Sequence, residues 1–328
     1  PLTNQLREFD VQTGKSSVLA FTQDAFQPAS SRSGNRLAYA RVFLNSNIWA
    51  SRIANGGNIA DKEGPHLLVS STRSQTAPDI SPDGKRVVFE SDRSGGREVW
   101  VSNIDGSNPV QLTHLNNPLT GTPRWSPAGN LIAFDSRASG KAAVYFVDPD
   151  GGIPQKLSAG IDNIAIPTWS RDGKSIYFSS ADTQNGSLFR MSLPDGPILL
   201  IAKGPGLISN AKESADGKWI YFVKGDPNSE VRVIPSAGGE DRPVAGMPLL
   251  HSATDWALAK NGIYFFDRNS RSSIRFYDFA SKQIHSVFML AASLPDWGGL
   301  SISPDGRWLA YSLLGDTQSD IMLVDQFE

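Results

Sequence analysis

Arg124 is the residue whose type and position most invite a ligand. It sits in Gly121-Thr-Pro-Arg-Trp125, and the matching slots elsewhere in the chain hold Asp79 and Thr168. An arginine here can grip a carboxylate through two parallel hydrogen bonds, or pair with an acidic residue of the next structural unit. Glu213 departs differently: it stands in the apolar or aromatic slot of Trp125 and Trp169. Such a break in a packing rule is expected at functional positions, and equally at a locally irregular element. His114, His251 and Trp297 lie in long, less periodic connecting stretches, where binding residues concentrate; a lone histidine in a loop is more often simply solvated. Asp92-Arg93, Asp135 with Arg137, and Asp267-Arg268 recur at matching positions. They read either as bonds between neighbouring units or, through Arg93, Arg137 and Arg268, as ligand contacts. Trp125 and Trp169 read as packing between units rather than as a stacking platform.

These residues suit recognition better than bond-making. No Gly-x-Ser-x-Gly elbow, His-Glu-x-x-His or Walker phosphate loop occurs in the sequence. There is no cysteine, and the four histidines (66, 114, 251 and 285) fall on different elements. No catalytic residue, metal site or cofactor is therefore expected. Asp148-Pro-Asp-Gly151 lacks the alternating ligand spacing of a calcium loop and reads as a turn. Thirty-one basic against 33 acidic residues argue against nucleic-acid binding by this segment. No run of 18 apolar residues occurs, so no membrane contact is expected of it. The start, Pro1-Leu-Thr-Asn, resembles no signal peptide and leads us to expect a segment cut from a longer chain.

The elements that must carry these residues come from a repeat. Ser81-Pro-Asp-Gly-Lys-Arg-Val-Val-Phe89 returns as Ser126–Phe134, Ser170–Phe178, Ser214–Phe222 and Ser303–Tyr311. A weaker copy runs Ser31–Tyr39, and a degenerate one, Lys260–Phe265, has a turn about two residues shorter. The closing aromatics are Tyr39, Phe89, Phe134, Phe178, Phe222, Phe265 and Tyr311, spaced 43 to 50 residues apart. Asp-Gly supplies the positive φ of a tight hairpin turn, and the apolar run after it is a strand. Third strands such as Glu98–Val101 and fourth strands such as Val110–Thr113 complete each unit. Four antiparallel strands per unit of this length specify a β-propeller blade, with a β-sandwich as the alternative. The expectation is an all-β, seven-bladed propeller over residues 1–328 as a single domain, with almost no helix. The last blade has only three strands of its own, about 298–303, 307–313 and 320–325. Ser16–Thr22 is expected to join it from the N-terminus and close the ring. Residues 1–15 are left as a surplus strand from an upstream segment.

Ser-Pro-Asp-Gly-Lys-x-Ile-x-Phe, followed by Ser91-Asp-Arg-Ser-Gly95 and Asp105-Gly-Ser-Asn-Pro-Val-Gln-Leu-Thr113, resembles the TolB-type (WD-like) propeller repeat. A narrower likeness rests on Pro109–Thr113, Gly121–Pro127, Phe134–Arg137 and Asp320–Phe327. These are similar to the C-terminal propellers of membrane-anchored winged-helix regulators of acidobacterial type. That resemblance implies a periplasmic or otherwise extracytoplasmic sensor or protein-binding region of a bacterial regulator. The expected function is non-enzymatic recognition of a protein, peptide or small ligand at the channel mouth. The alternatives are a propeller lyase or hydrolase, and the gating propeller of a peptidase without its catalytic domain. A closed ring has no free edge, so the isolated domain is expected to be a monomer.

Overall fold

The computed structural model describes residues 6–19, 22, 25–32, 34–53, 64–116, 119–181, 185–225, 228–269, 272–295 and 298–325. Of 42–44, 181 and 316–318 it describes the backbone alone. Among the described residues there are strands and turns and no helix, as the punctuated, non-helical sequence pattern requires. The chain divides into two compact units, residues 46–313 and the flanking segments 1–45 with 314–328.

The strands in chain order begin with β1 (Arg7–Phe9), β2 (Ser16–Val18), β3 (Ala25–Ser30), β4 (Arg36–Arg52) and β5 (His66–Val69). Five four-stranded antiparallel sheets follow. The first holds β6 (Gln75–Ile80), β7 (Arg86–Ser91), β8 (Glu98–Asn103) and β9 (Val110–Gln111). The second holds β10 (Thr120–Trp125), β11 (Ile132–Ser136), β12 (Ala143–Val147) and β13 (Gln155–Lys156). The third runs β14 (Ile164–Trp169), β15 (Ser175–Ala181), β16 (Asn185–Ser192), β17 (Ile198–Pro205). The fourth runs β18 (Ile208–Glu213), β19 (Trp219–Lys224), β20 (Glu230–Pro235), β21 (Arg242–Pro243). The fifth runs β22 (Trp256–Ala259), β23 (Gly262–Phe266), β24 (Ser273–Asp278), β25 (Ile284–Met289). The chain ends with β26 (Leu300–Ile302) and β27 (Trp308–Asp325).

The repeated phrase builds its own turn. Ser81 Oγ donates to Asp83 Oδ1 at 2.6 Å and accepts the Arg86 N–H at 2.9 Å, while Asp83 Oδ1 accepts the Lys85 N–H. Gly84 closes the turn at φ +71°, a left-handed value that costs glycine nothing. The same Ser–Asp pair recurs at 170/172, 214/216 and 303/305. Between sheets, the apolar faces meet in successive cores. Val88, Val99 and Val101 pack on Trp125, Ile132 and Phe134. Tyr177 and Leu188 pack on Ile220 and Phe222, and Ile48 and Val69 pack on Val87 and Phe89. No sheet of this size buries a core alone, so each is stabilised by its neighbours.

The two ends of the chain differ from the sequence expectation. Within residues 46–313, β26 and the start of β27 lie beside the end of β4. The Ile53 N–H donates to the Arg307 carbonyl at 2.8 Å, and the Ser51 and Tyr311 hydroxyls are 2.7 Å apart. β5 pairs with β4 through Ile48↔Val69 and Ala50↔His66. One composite sheet thus takes its first two strands from the C-terminal side and its last two from the N-terminal side. The Ala77 N–H of β6 bonds to Gly298 O beside it at 2.8 Å. Seven separate four-stranded sheets are not formed among the described residues: five are, beside this composite sheet. β27 also runs unbroken from Trp308 to Asp325, so the expected separate third strand at 320–325 does not exist. Gly315-Asp316 reverses the Asp-Gly order of the real turns and supplies no turn there.

In the flanking unit, β3 pairs with the first part of β4 (Ala25↔Arg41, Ser30↔Leu37), and Arg36 is bonded to Asp325 at 2.7 Å. Ala25, Leu37 and Tyr39 form its small core with Leu6, Leu19, Met322 and Val324. The strand expected to close the last blade, β2, pairs with β1 instead (Arg7↔Val18, Phe9↔Ser16). That position in the last sheet is filled by β5, which the hydrophobic residues 67–69 favour over the polar Ser16-Ser17.

Candidate functional site

The first strands share a bulge that aligns their residues. Ala77, Thr122, Ile166 and Asn210 all have φ between +50° and +56°, each beside a shift in register. A positive φ is costly for residues other than glycine. Here bonds to adjacent sheets hold the bulges in place. The Thr122 N–H points to Glu90 Oε2 (3.4 Å), the Ile166 N–H to Asp135 Oδ1 (3.3 Å), and Asn210 Nδ2 donates to Ala253 O (2.7 Å).

Two residues beyond each of these four bulges, and at the matching place in the unbulged β22 and β26, lies a common register position. Asp79, Arg124, Thr168, Lys212, Ala257 and Ser301 pair with Val88, Ala133, Tyr177, Tyr221, Tyr264 and Ala310. Each partner immediately precedes the closing aromatic of its repeat. Although they come from the first, second and fourth sheets, the charges of Asp79, Arg124 and Lys212 act on one another. Burial raises the Asp79 carboxyl above its usual range, opposed by Arg124, the Trp125 N–H and Lys212. Burial and then Arg124 pull Lys212 down to about 8, opposed by Asp79. Lys212 Nζ lies 5.4 Å from the ring centre of Trp256, a cation–π contact. Arg124 Nη1 donates to Pro123 O at 2.7 Å. Thr168 Oγ1 and Ser301 Oγ are 5% and 7% exposed as residues and have no hydrogen-bond partner among the described residues. Trp256 Nε1, wholly buried, is in the same condition. Two cations against one carboxylate, with buried donors at the same register, form a place suited to an anion.

Residues 116–274 match the sequence family described as TolB beta propeller domain. Among solved structures, one described as a TolB of Agrobacterium tumefaciens matches with a TM-score of 0.64 at 18% identity, over 83% of this chain and 99% of that one. TolB from Acinetobacter baumannii matches with a TM-score of 0.57 at 16% identity, over 97% of this chain and 77% of that one. A chain of a nidogen/laminin complex matches with a TM-score of 0.58 at 11% identity, over 74% and 93%. The fold is that of a TolB-like β-propeller. Its four-stranded sheets are blades, and the all-β class read from the repeat holds.

Within this TolB-like propeller the other sequence candidates scatter. Trp125 Nε1 donates to Asp79 O (3.2 Å) and Trp169 Nε1 to Arg124 O (3.1 Å), so both tryptophans latch one blade to the one before. Glu213, in the same slot, performs the same task with a carboxylate. It accepts from Tyr177 OH (2.7 Å) and the Arg171 N–H (3.0 Å) of the preceding blade. Arg93 lies 5.2 Å from the Phe89 ring and 4.9 Å from the Trp100 ring, and its Nε donates to Ser91 Oγ. Asp92 accepts the Ser74 N–H and Asp267 binds Arg275 Nε, while Asp135 is bonded to Thr122 and Ile166. Of these three, Asp135 reaches the next blade, and Asp92 and Asp267 serve their own. Arg137 and Arg268 are exposed, as is His114; His251 is half-buried before β22. Trp297 lies outside the described residues. Of the sequence candidates, only Arg124 belongs to the aligned charge cluster. Lys212 and Ser301 were missed, although counting back from each closing aromatic would have found them beside Asp79 and Thr168.

Proposed function

We propose that the protein is a non-catalytic binding propeller, a ring of six blades closed by the composite sheet. It takes a carboxylate of a protein, peptide or small ligand at the first-strand cluster. Arg124 supplies a forked donor and Lys212 a point charge, with Thr168, Ser301 and Trp256 supplying neutral donors. Asp79 keeps the two cations in place and limits the site to one added negative charge. The carrying observation is the shared register of two mutually repelling cations and two unpartnered, buried hydroxyls. The wider setting rests on the sequence resemblance: an extracytoplasmic sensor segment of a larger bacterial regulator. Exposed His114, Arg137 and Arg268 are proposed as outlying partner contacts. Arg93 and Glu213 are assigned to packing.

Calorimetric titration with butyrate, a small monocarboxylate, tests this reading. Saturable binding is expected, weakened at least tenfold in Arg124→Ala and in Lys212→Met. It should also fade as pH rises through about 8, where Lys212 gives up its proton. Unchanged binding in Arg124→Ala would remove the assignment.

A further inference from the structure

The fifth blade carries an irregularity that the cluster above does not use. Elsewhere, consecutive first hairpins interlock. A Cβ on Gly129 would stand 3.6 Å from Pro82 of the preceding turn, and one on Gly173 would stand 3.5 Å from Pro127. A latch residue closes each of these contacts: Trp125, Trp169 or Glu213. At the fourth-to-fifth blade contact both devices are gone. Six residues separate the paired Glu213 and Ile220, but only four separate Leu258 and Ile263. No Ser-x-Asp-Gly turn projects from the fifth blade, the preceding turn has Ala215 where a proline stands in the first two, and Leu258 has no polar group with which to latch.

The surface that these devices would cover is left open. Tyr177, sealed by Glu213, is 0% exposed. Its counterpart Tyr221 stays half-buried and stacks on Phe279 with ring centres 5.4 Å apart. A cavity of about 770 Å³ results, within the range of ligand pockets. Tyr221, Val233 and Arg242 lie side by side across its wall in β-sheet register. Arg242 covers the Trp219 ring at 5.3 Å, and Lys260 and Lys282 from the turns of the fifth blade also line the cavity. The single carboxylate of the lining, Asp216, is occupied by Ser214 Oγ and the Lys218 N–H, which hold its pKa below the usual range.

We propose that this notch is a docking site for an acidic peptide segment carrying an aromatic side chain. Its aromatic residue lies against Trp219, Tyr221 and Phe279, and its carboxylates face Arg242, Lys260 and Lys282. Aromatic surface beside arginine is the composition of interface hot spots, and three cations against the one carboxylate of Asp216 select for negative charge. The site shares no residue with the Arg124–Lys212 cluster, so each can fail separately.

The test uses the full chain and fluorescently labelled random Glu–Tyr copolymer, read by anisotropy, with poly-glutamate and heparin as competitors. Saturable copolymer binding is expected, at least fivefold tighter than poly-glutamate. The exposed-surface variant R242E/K260E/K282E should weaken it at least tenfold, and should leave binding of a small carboxylate at the Arg124–Lys212 cluster unchanged. A second variant replaces Lys260-Asn261 with Pro-Asp-Gly-Lys, restoring the long turn, and should compete the peptide out without charge reversal. The proposal is overturned if the copolymer binds no better than poly-glutamate, if heparin displaces it as readily at equal charge, or if both variants bind like the parent chain.

Discussion

The contact between the third and fourth blades and that between the fourth and fifth use the same aligned positions and end differently. In one, Tyr177 is sealed beneath Glu213. In the other, Leu258 stands in the latch slot, the turn is shortened, and Tyr221 is left lining a cavity. One latch residue and one turn length therefore decide whether a blade contact becomes core or binding surface.

The comparison breaks first at the tyrosines. Tyr177→Ala is expected to cost about 3–5 kcal/mol in urea denaturation, the range for emptying a buried aromatic site. Tyr221→Ala should cost no more than about half of that, since its ring is already part-exposed. Equal losses would mean that the two contacts are packed alike. Next, Glu213→Ala should cost about 2 kcal/mol by stranding the buried Tyr177 hydroxyl, and Glu213→Gln should recover most of it.

Grafting the latch sharpens the contrast from the other side. Leu258→Trp should raise stability by about 1 kcal/mol, as cavity-filling changes commonly do, and should block copolymer binding. The smallest effect expected is in pH dependence. Burial lifts the Asp135 carboxyl to about 6 against 3.8 unfolded. The fold therefore holds a proton that the unfolded chain has released, and stability should fall as pH climbs from about 4 to 6. Partial exposure limits the loss to about 1 kcal/mol. Asp135→Asn, which still accepts from Thr122 and Ile166, should flatten that slope in thermal melts. Lys212 has the opposite sign: its lowered pKa makes stability rise as pH goes from about 8 to 10.5, a rise that Lys212→Met should abolish.

How much of this was legible follows from where each interaction reaches. The Ser–Asp–Gly turn is written within six residues, and the positive φ read from its Asp-Gly is there at Gly84. The latching role of Trp125 and Trp169 was legible from their repetition. The short fifth turn was visible too, but nothing local says that Ala215 and Leu258 leave it unsupported. Counting hairpins gave seven units, because a hairpin is a local object. The number of sheets depends on β4 and β27, which lie at opposite ends of the sequence and meet through Ile53 and Arg307.

The sequence by itself determined the turns, the alternation of the strands and the aligned slots holding Asp79, Arg124, Thr168 and Lys212. All of these follow from hydrogen bonds and side-chain periodicity over a few residues. Only the tertiary structure decided that the two ends of residues 46–313 share one sheet, that Lys212 faces Arg124 and Asp79, and that the fourth and fifth blades part around Tyr221. Those outcomes are contacts between segments far apart in the chain, fixed by which blade packs on which, and no local pattern encodes them.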